Sequence, residues 1–438
     1  MRHMRTDEIR PDQEGDEIRI DGWLQESRNL GGIAFGIIRD RFGTVQVTVK
    51  KKENPEMADI LAGISRESVV SVIGKVKRSD KTPRGFEIVP SEIRVESMAE
   101  TPLPMGVVDK VGAELDTRLN NRFIDLRKRR VARIFEFKAE VLHSTRQYLR
   151  SEGFIEVNTP KIVAAGAEGG STLFKVDYFG RNAYLAQSPQ LYKQNLMAAG
   201  LERVFEIAPA FRAEASDTVR HLAEFMSIDV EMSFINSSEE VMDIAEGIAF
   251  SAVDHLAKNC KAIVDEAGID LKLPKRPFRK IPYGEALEMA ASEGVKLEFG
   301  EDLGTEGEKA LGKAVINQYG EEFYFITDFP TELKKGTFYA MRRDDRPDLT
   351  TYFDLDYRGQ EIVSGGRREH RIEKLAAQMK ENNLDPTSFG FYIDAFKYGM
   401  PPHGGFGFGL ERFLQKVLDL PNIREVILYP RDRLRLSP

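Results

Sequence analysis

A dense cluster of charged side chains lies between Phe211 and Phe234, in the sequence FRAEASDTVRHLAEFMSIDVEMSF. Polar and apolar residues alternate on both sides of a short polar connection at 215–218, and this pattern predicts an antiparallel hairpin. Its polar face carries side chains that could do chemistry: Arg212, Glu214, Arg220, His221, Glu224, Asp229 and Glu231. Charges on a strand usually form ion pairs on a solvated face. Here Arg212 and Glu214 stand among Phe, Ile, Ala and Pro, which favours a half-buried site, and guanidinium groups beside carboxylates suit a ligand with phosphate and amine groups.

The sequence HGGFGFGLERF at 403–413 is the second chemically informative region. Gly405, Gly407 and Gly409 alternate with two phenylalanines, although glycine weakens a strand unless something must approach the backbone closely. The strand runs into a helix that carries Arg412 in its first turn. No parallel strand–helix–strand unit surrounds it, so it is not a dinucleotide fingerprint. The pattern favours a platform for a flat ring, with an arginine for a phosphate.

A third group of polar side chains occurs in the alternating sequence TTYFDLDYRGQEIVSGGRR at 350–368. It places Asp354 and Glu361 among aromatic residues, with Ser364 three residues further on. Carboxylates with a neighbouring hydroxyl offer the hard oxygen ligands that magnesium prefers.

Two further segments could contact a ligand. The small-residue loop AAGAEGGS at 164–171 contains one acid, Glu168; such a loop could close over a ligand or be passive. The sequence YLAQSPQLYKQNLM at 184–197 predicts a strand that runs into a helix, with Ser188, Gln190 and Lys193 near the helix start, where anions are favoured. A lone lysine on a helix is usually solvent-exposed.

The composition limits the class of protein. The chain has 438 residues, enough for two or three domains, and its 41% apolar and 30% charged residues are typical of a soluble globular protein. A net charge of -7 gives no global attraction to nucleic acid, so such contacts must use local patches. The single cysteine, Cys260, excludes an intrachain disulfide and a thiolate cluster, and the six histidines show no metal-ligand spacing. The absence of a membrane-length apolar run or a secretion signal favours the cytoplasm.

The order of elements predicts an α+β chain. Residues 16–96 contain five short strands with a helix after the third, which suggests an OB-type barrel for single-stranded nucleic acid. We divide the chain into a barrel at 1–100, a proline-containing linker at 101–128 and a second domain at 129–438. In that domain, helical spacing covers Val131–Glu152, and 323–329 and 338–342 look like buried strands. The barrel residues that could bind nucleotides are Arg28, Phe35, Gln46 and Glu87, although Phe35 could equally be a core residue.

Together these regions resemble a class II aminoacyl-tRNA synthetase. Its three signature elements occur in order: the long helix and strand ending at Pro160, then FRAE at 211–214 with Arg220 and His221, then GFGFGLER at 405–412. Within the class, the barrel and the sequence QSPQLYKQ at 187–194 are similar to aspartyl-tRNA synthetases of the compact archaeal type. The resemblance covers essentially the whole chain. It implies an OB-type anticodon-binding barrel, a catalytic domain with a six- or seven-stranded antiparallel sheet flanked by helices, and a homodimer through the first motif.

The resemblance implies an L-aspartate site. Lys193 and Arg368 would hold the side-chain carboxylate, and Asp229 would orient these cations. An asparagine carboxamide would leave the two cations buried and unpaired, so the pair favours aspartate. The residues implied in aspartate binding are Glu168, Gln190, Lys193, Arg212, Asp229, Ser364 and Arg368.

The resemblance also implies an ATP site with magnesium. Phe225 would stack on adenine, while Arg412 would form the far side of that stack and meet the γ-phosphate. Arg212 would bridge the aspartate α-carboxylate and the α-phosphate, and Arg212, Glu361 and Arg412 would be the catalytic residues. The implied ATP-binding residues are Arg212, Glu214, Arg220, His221, Leu222, Phe225, Glu361, Gly409 and Arg412. The implied Mg²⁺ ligands are Glu361 and Ser364, with Asp354 a weaker candidate.

In the barrel, the resemblance implies that Arg28, Phe35, Gln46 and Glu87 contact the tRNA anticodon. Family members that charge only tRNA(Asp) tend to carry Trp and Lys at the positions of Gln25 and Pro83, and relaxed members tend to carry His and Pro. Pro83 removes a cation and a backbone donor from its loop. We therefore predict relaxed specificity, although Gln25 fits neither pattern.

The implied activity is that of an aspartate–tRNA ligase. It would form aspartyl-adenylate and transfer aspartate to the 3′ end of tRNA(Asp) and also of tRNA(Asn), whose mischarged product an amidotransferase would then use. The alternatives are a strictly discriminating aspartyl-tRNA synthetase, an asparaginyl-tRNA synthetase and a catalytically inactive RNA-binding paralogue. Lys193 argues against the asparaginyl enzyme. The presence of Arg212, Glu361 and Arg412 together argues against the inactive paralogue.

Overall fold

The structure is a computed structural model of the chain, and it describes residues 2–164, 172–213 and 218–438. The chain forms two compact units, Met1–Asp125 and Leu126–Pro438. Within the described residues, no helix is long and apolar enough to cross a membrane.

The first unit contains six strands and three short helices. They are β1 (Arg2–His3), β2 (Glu17–Leu30), β3 (Ile33–Arg39), β4 (Thr44–Lys50), α1 (Pro55–Gly63), β5 (Val69–Arg78), β6 (Phe86–Ser97), α2 (Leu115–Asn120) and α3 (Arg122–Asp125). The sheet order is β1-β2-β3-β4-β6-β5, and an additional pairing of β2 with β5 closes strands β2 to β6 into a ring. The predicted five-stranded OB-type barrel, with its helix after the third long strand, is confirmed.

Alternating side chains build the barrel. In β3 the residues alternate between buried and half-buried, so one side of the strand faces the core and the other faces outward. Helix α1 begins where the Asn54 side chain accepts a hydrogen bond from the Met57 backbone N–H at 3.0 Å. A Cβ at Gly36 would lie 2.9 Å from Leu61 Cδ1, so this glycine lets α1 pack closely against β3.

The second unit contains eleven strands and nine helices in its described residues. The first half comprises α4 (Arg129–Ser151), β7 (Ile155–Glu156), β8 (Ile162–Val163), β9 (Lys175–Tyr178), β10 (Arg181–Leu185), α5 (Gln190–Ala198), β11 (Arg203–Phe211), β12 (Glu224–Ser233), α6 (Ser238–Asn259) and α7 (Lys261–Ala267). The second half comprises β13 (Arg279–Pro282), α8 (Tyr283–Ser292), α9 (Gly304–Tyr319), β14 (Phe323–Thr327), β15 (Tyr352–Tyr357), β16 (Glu361–Arg367), α10 (Ile372–Glu381), α11 (Gly390–Lys397), β17 (His403–Gly409) and α12 (Leu410–Val417).

The main sheet of this unit has eight strands in the order β13-β14-β15-β16-β17-β12-β11-β7. The six inner strands, β14 to β11 in this order, are antiparallel to one another. The predicted hairpin is the pair of β11 and β12. The two edge strands, β13 and β7, pair in parallel. The sheet is therefore mixed, and the antiparallel arrangement that the resemblance implies holds for the six inner strands.

Helices α4 and α6 pack on one face of this sheet. The alternation in β17 sends Phe406 and Phe408 into the core beneath these helices. The glycines between them lie on the opposite face, which leaves the backbone there uncovered by side chains. That opposite face carries the candidate site.

One predicted strand is wrong. Residues 338–342 make only isolated bridges, between Ala340 and Arg368 and between Arg342 and Thr350. The segment is apolar because Phe338, Tyr339, Ala340 and Met341 are buried by packing. Burial alone, without sustained pairing, produced a strand-like pattern in the sequence.

Candidate active site

An open cavity of about 310 Å³ lies on the glycine face of the eight-stranded sheet. Strands β12, β16 and β17 contribute side chains or backbone to it, together with the segment that leads into α5 and the first turn of α12. Twelve of the sequence-predicted residues line it: Gln190, Arg212, Arg220, His221, Leu222, Phe225, Asp229, Glu361, Ser364, Arg368, Gly409 and Arg412. Residues from segments as distant as 190 and 412 therefore meet in one cavity.

The glycines of β17 serve two different purposes. A Cβ at Gly405 would clash with the Val230 carbonyl oxygen and with the carboxylate of Glu231. At Gly407 the nearest side-chain atoms would be 3.6 Å and 3.7 Å from a Cβ, an ordinary contact distance. Gly405 therefore makes room for a neighbouring acid, whereas Gly407 and Gly409, which line the cavity, leave space for a ligand.

Two buried cations lie at one end of the cavity. The Lys193 ammonium is 2.8 Å from Asp229 Oδ1, donates to the Phe406 carbonyl at 2.9 Å, and does not itself line the cavity. Arg368, which does line it, donates through Nε to Glu231 Oε1 at 3.0 Å. Asp229 Oδ2 is buried and has no hydrogen-bond partner among the described residues. Two cations and two carboxylates thus balance in charge, with one carboxylate oxygen still able to accept a hydrogen bond.

The guanidinium of Arg368 is held on more than one side. It donates to the hydroxyl of Tyr352 as well as to Glu231, and it lies 5.4 Å from the centroid of the Tyr339 ring. Burial lowers its pKa, but the nearby charge of Glu231 outweighs this effect and raises the pKa above its usual range. Arg368 is therefore a permanent, oriented cation.

The side chain of Gln190 is positioned by two further buried side chains, those of Gln194 and His403. Its Nε2 donates to Gln194 Oε1 at 2.8 Å, and Gln194 Nε2 lies 2.9 Å from His403 Nε2. His403 Nδ1 lies 2.8 Å from the Pro401 carbonyl oxygen, which accepts a hydrogen bond from Nδ1–H. Burial lowers the pKa of His403 to about 4, so the imidazole is neutral and Nε2 can accept from Gln194. This chain of contacts orients the Gln190 amide in the cavity.

Arginines dominate the other end of the cavity. Arg212 lies 5.3 Å from the centroid of the Phe225 ring. Arg412 Nη1 is 3.2 Å from Glu361 Oε1, and Arg220 Nη1 is 3.0 Å from Glu308 Oε2. Three guanidinium groups and an aromatic ring that line one cavity are suited to a ligand that joins a flat base to several phosphates.

The predicted magnesium ligands occupy neighbouring strands. Asp354 on β15 and Ser364 on β16 are directly paired in register. The pKa of Glu361 is raised overall. Burial raises it most, the charge of Arg412 opposes this effect, and the charge of Asp354 adds to it. Glu361 and Ser364 line the cavity, whereas Asp354 does not and is 2.9 Å from the ammonium of Lys334. A half-buried carboxylate at the cavity wall, beside a hydroxyl and near a second acid, is a donor set that a hard divalent cation would satisfy.

Four residues at or near the site escaped the sequence analysis as site residues. Glu231 holds Arg368, Lys334 pairs with Asp354, and Glu308 pairs with Arg220. The fourth, Glu411, accepts from Lys138 on α4 at 2.7 Å and from the Met226 backbone N–H at 3.1 Å, so it ties α12 to both α4 and β12. Two of them had a sequence signal: Glu231 lies on the polar face of the hairpin, and Glu411 lies in the signature GFGFGLER at 405–412.

Glu308 lies in the first half of α9, in a region with little chemical signal in the sequence. Two glycines dock this helix: a Cβ at Gly312 would meet the backbone of Gly359, and a Cβ at Gly359 would meet the backbone of Glu308 at 2.6 Å. Burial and the charge of Glu361 raise the pKa of Glu308 to about 7, against the opposing effects of Arg220 and Arg412.

In the barrel unit, the predicted nucleotide-binding residues share one face. The strand register pairs Arg28 with Phe35 and Phe35 with Thr48. Thr48 Oγ1 donates to Glu87 Oε2 at 2.7 Å, and Gln46 Nε2 lies 3.4 Å from the same oxygen. Phe35 is half-buried and outward-facing, so it is a surface residue rather than a core residue. An aromatic ring beside amide and carboxylate groups on an open sheet face could stack on a base and bind its edge.

The two proposed discrimination positions lie elsewhere in the barrel. Gln25 is at an irregularity in β2 between Leu24 and Glu26, and its side-chain oxygen accepts from Arg39 at 3.5 Å. Pro83 is exposed in the turn that joins β5 to β6.

Glu168 and Glu214 lie outside the residues that the structure describes. Their roles stay predictions.

The chain was compared with known families and structures. A family model described as tRNA synthetases class II (D, K and N) matches residues 114–433, and one described as an OB-fold nucleic acid binding domain matches residues 18–96. The chain is 50% identical over 434 residues to an aspartate–tRNA(Asp) ligase of Pyrococcus abyssi, covering 99% of both chains. It is 48% identical over 437 residues to an aspartate–tRNA(Asp/Asn) ligase of Methanosarcina acetivorans, covering 99% of this chain and 98% of the relative.

A solved structure of asparaginyl-tRNA synthetase from Pyrococcus horikoshii, complexed with asparaginyl-adenylate, matches the fold with a TM-score of 0.92. It is 31% identical in sequence, and the match covers 99% of both chains. Both compact units therefore have counterparts in these proteins.

Proposed function

This chain belongs to the class II aminoacyl-tRNA synthetases of the aspartate, lysine and asparagine group, and on that basis we propose that it is an aspartate–tRNA ligase. It activates L-aspartate with ATP and transfers the aspartyl group to tRNA. The observation that carries the proposal is a single cavity with the buried, carboxylate-paired Arg368 and the Lys193-paired Asp229 at one end and three arginines at the other.

The buried cations favour aspartate as the substrate. Arg368 lines the cavity, where its guanidinium can form charge-assisted hydrogen bonds with a side-chain carboxylate, and a carboxamide cannot form equally strong ones. Lys193 adds positive charge close to the cavity, where it pairs with Asp229. The unpartnered oxygen of Asp229 supports a role in accepting a hydrogen bond from the ligand. Gln190, held by Gln194, contributes an oriented amide for the α-ammonium end.

The arginines support adenylate formation. An oxygen of the aspartate α-carboxylate attacks the α-phosphorus of ATP, the bond to the β-phosphate oxygen breaks, and pyrophosphate leaves. Arg212 sits beside Phe225, where it can neutralise charge on the transferring phosphoryl group, and Arg412 and Arg220 can bind the departing phosphates. No covalent protein nucleophile is needed, because orientation and charge neutralisation supply the catalysis.

Glu361 and Ser364, with Asp354 as a weaker candidate, would hold Mg²⁺ beside the phosphates. When bound, the ion neutralises phosphate charge and orients the leaving group. The position of Glu361 and Ser364 in the cavity wall, with Asp354 paired in register with Ser364, supports this assignment.

In the second step, the 3′-hydroxyl of the terminal tRNA ribose attacks the carbonyl carbon of aspartyl-adenylate. An aspartyl ester forms and AMP leaves, carrying the electron pair of the broken acyl–phosphate bond. The barrel face with Arg28, Phe35, Gln46 and Glu87 would bind the anticodon, and stacking on Phe35 would supply part of that affinity.

Aspartate-dependent exchange of labelled pyrophosphate into ATP tests the first step. The intact protein should exchange with aspartate and not with asparagine, and Arg212→Ala should lower the rate about 100-fold or more. Arg346→Ala, which removes an arginine whose side chain is 59% exposed and pairs with Asp348, is the matched control and should change nothing. Exchange with asparagine, or near-normal exchange in Arg212→Ala, would refute the proposal.

Relaxed specificity for tRNA is the second part of the proposal. Relatives named for tRNA(Asp) and for tRNA(Asp/Asn) are almost equally similar to this chain, so overall identity does not separate the two activities. Pro83 supports charging of tRNA(Asn) as well as tRNA(Asp). Charging both purified tRNAs with labelled aspartate tests this directly.

Pro83→Lys should lower charging of tRNA(Asn) relative to tRNA(Asp), because it restores a cation and a backbone donor to the turn. Lys81→Ala, in the same turn, is the control and should affect both tRNAs alike. Aspartate on tRNA(Asp) alone in the unaltered protein would overturn relaxed specificity while leaving the ligase activity intact.

We also propose a homodimer that forms through the first motif, an amidotransferase that uses the mischarged product, and a cytoplasmic location. Sedimentation or light scattering of the purified protein tests the dimer. A mass equal to one chain at micromolar concentration would overturn it.

A further inference from the structure

A group of metal-ligating side chains lies outside the cavity, where α4, the helix of the first signature element, packs against α6 and α7. Glu140 is on α4, His255 is near the end of α6, and Cys260 is the residue between α6 and α7. These helices cover the sheet face opposite the glycines that line the cavity. The carboxylate and the imidazole are separated by 115 positions in sequence, which is why histidine spacing alone gave no metal signal.

The three donor atoms are close enough to share one ion. One carboxylate oxygen of Glu140, one ring nitrogen of His255 and Sγ of Cys260 all lie within 4.8 Å of one another. Glu140 Oε2 and His255 Nε2 are 2.7 Å apart. Tetrahedral zinc with bonds of about 2.0–2.3 Å to oxygen, nitrogen and sulfur would hold its ligand atoms about 3.3–3.6 Å apart. Glu140 Oε2 and His255 Nε2 would therefore separate by less than about 1 Å to admit the ion.

The donor chemistry suits a divalent cation. Cys260 is buried, and its sulfur lies within 4.8 Å of a carboxylate oxygen of Glu140 and of a ring nitrogen of His255. A divalent ion would displace the thiol proton and be neutralised by thiolate and carboxylate together.

Two neighbours could complete the site. The other ring nitrogen of His255, Nδ1, is 3.0 Å from Nδ2 of Asn259. Turning this amide over would place its oxygen there, where it could accept a hydrogen bond from Nδ1–H once Nε2 is bound to metal. The His143 ring, one helical turn from Glu140 on α4, has its centroid 5.7 Å from that of His255. Its nitrogen or a water could supply a fourth ligand.

We propose that Glu140, His255 and Cys260 form a site for a divalent transition-metal ion, Zn²⁺ being the best match to one oxygen, one nitrogen and one sulfur donor. The site is structural: the ion links α4 to the junction of α6 and α7. It goes beyond the proposed ligase activity, and it uses none of the residues assigned to aspartate, ATP or Mg²⁺.

The competing explanation is an ordinary ion pair between Glu140 and His255 beside a buried cysteine. The same chain provides a comparison for it. His3 and Asp21, in the barrel unit, form a histidine–carboxylate pair at 3.2 Å that is not among the described groups able to hold a metal ion. An ion pair predicts that the two histidines behave alike towards added metal, whereas the proposed site predicts that they differ.

Cobalt titration of the full-length, chelator-treated protein tests the proposal. Because Cys260 is the only cysteine in the sequence, a thiolate-to-cobalt charge-transfer band reports this position and no other. We expect one Co²⁺ per chain to produce the band and one equivalent of Zn²⁺ to remove it. Cys260→Ser and His255→Ala should lose the band, and His3→Ala should keep it.

The melting temperature is a second measurement, and it detects metal binding in variants that lack the charge-transfer band. Added Zn²⁺ should raise the apparent melting temperature of the unaltered protein and of His3→Ala, because it binds the folded state. The rise should disappear in Cys260→Ser and in Glu140→Gln, whose circular dichroism should match that of the parent. A missing band in the parent protein, or an equal zinc-induced rise in Cys260→Ser, would overturn the proposal.

Discussion

Glu308 gives the sharpest prediction, because its titration changes stability in a known direction. Its pKa is about 7 in the folded protein, against 4.5 for an ordinary glutamate, chiefly because it is buried and secondly because Glu361 is near. Between these two pH values the folded state binds more protons than the unfolded state. The contribution of Glu308 to stability is therefore complete below pH 4.5 and is lost as the pH rises through about 7.

The size of the effect follows from the shift. Each pKa unit corresponds to about 1.4 kcal/mol. The shift from 4.5 to about 7 therefore makes roughly 3 kcal/mol of the free energy of unfolding depend on the ionisation of this carboxyl group. Glu308→Gln keeps the shape and cannot ionise. Relative to the parent, this variant should gain roughly 3 kcal/mol of stability between pH 5 and pH 8, or several degrees in melting temperature.

Thermal unfolding at several pH values between 5 and 8 measures this difference. Titrating groups remote from Glu308, such as His403, contribute equally to both proteins and cancel when the two curves are subtracted. Glu306→Gln is the matched control on the same helix, because the Glu306 side chain is 76% exposed and should follow the parent curve. Parallel curves for the parent and Glu308→Gln, within about 1 °C, would refute the reasoning.

The remaining predictions concern glycines and a buried ion pair. Gly405→Ala should destabilise the protein by about 2 kcal/mol and weaken aspartate-dependent exchange, because its methyl group displaces the Glu231 carboxylate that holds Arg368. Gly407→Ala should leave the melting temperature unchanged or slightly raised and increase the KM for aspartate, since its methyl group fits the protein but enters the cavity 3.7 Å from Asp229 Oδ1; equal stability losses in the two variants would contradict this. Glu67→Ala in the barrel should cost about 3–5 kcal/mol in denaturant unfolding, because it leaves the buried Arg39 guanidinium without the carboxylate that it contacts at 2.7 Å; an unchanged midpoint would contradict the assignment.

The sequence predicted those features that local periodicity and spacing encode. The alternation around Phe211–Phe234 identified the hairpin of β11 and β12, and the glycine alternation at 403–409 identified β17. Five regularly spaced strands identified the barrel. In each case the residues that face the core and the residues that face the site alternate with the period of a strand, so the pattern is visible without the fold.

Contacts between distant segments could not be predicted in this way. Glu308 reaches Arg220 only because two glycines dock α9 against the turn after β15, and nothing in the helix sequence marks that contact. Lys334 reaches Asp354 from a segment with no regular pattern. The predicted strand at 338–342 failed for a related reason, since its apolar residues record burial and not pairing with a neighbouring strand.

The pairing of cations with acids around the cavity has a kinetic consequence. Four cations are each within 3.2 Å of a carboxylate: Lys193 with Asp229, Arg368 with Glu231, Arg412 with Glu361 and Arg220 with Glu308. These four pairs present little net charge at a distance, so they steer an approaching anion weakly and ionic strength should have little effect on its rate of association. An anionic ligand must then replace the protein carboxylates as the partner of these cations after it has entered the cavity. The dissociation rate, and not the rate of encounter, is therefore the quantity that separates correct from incorrect substrates.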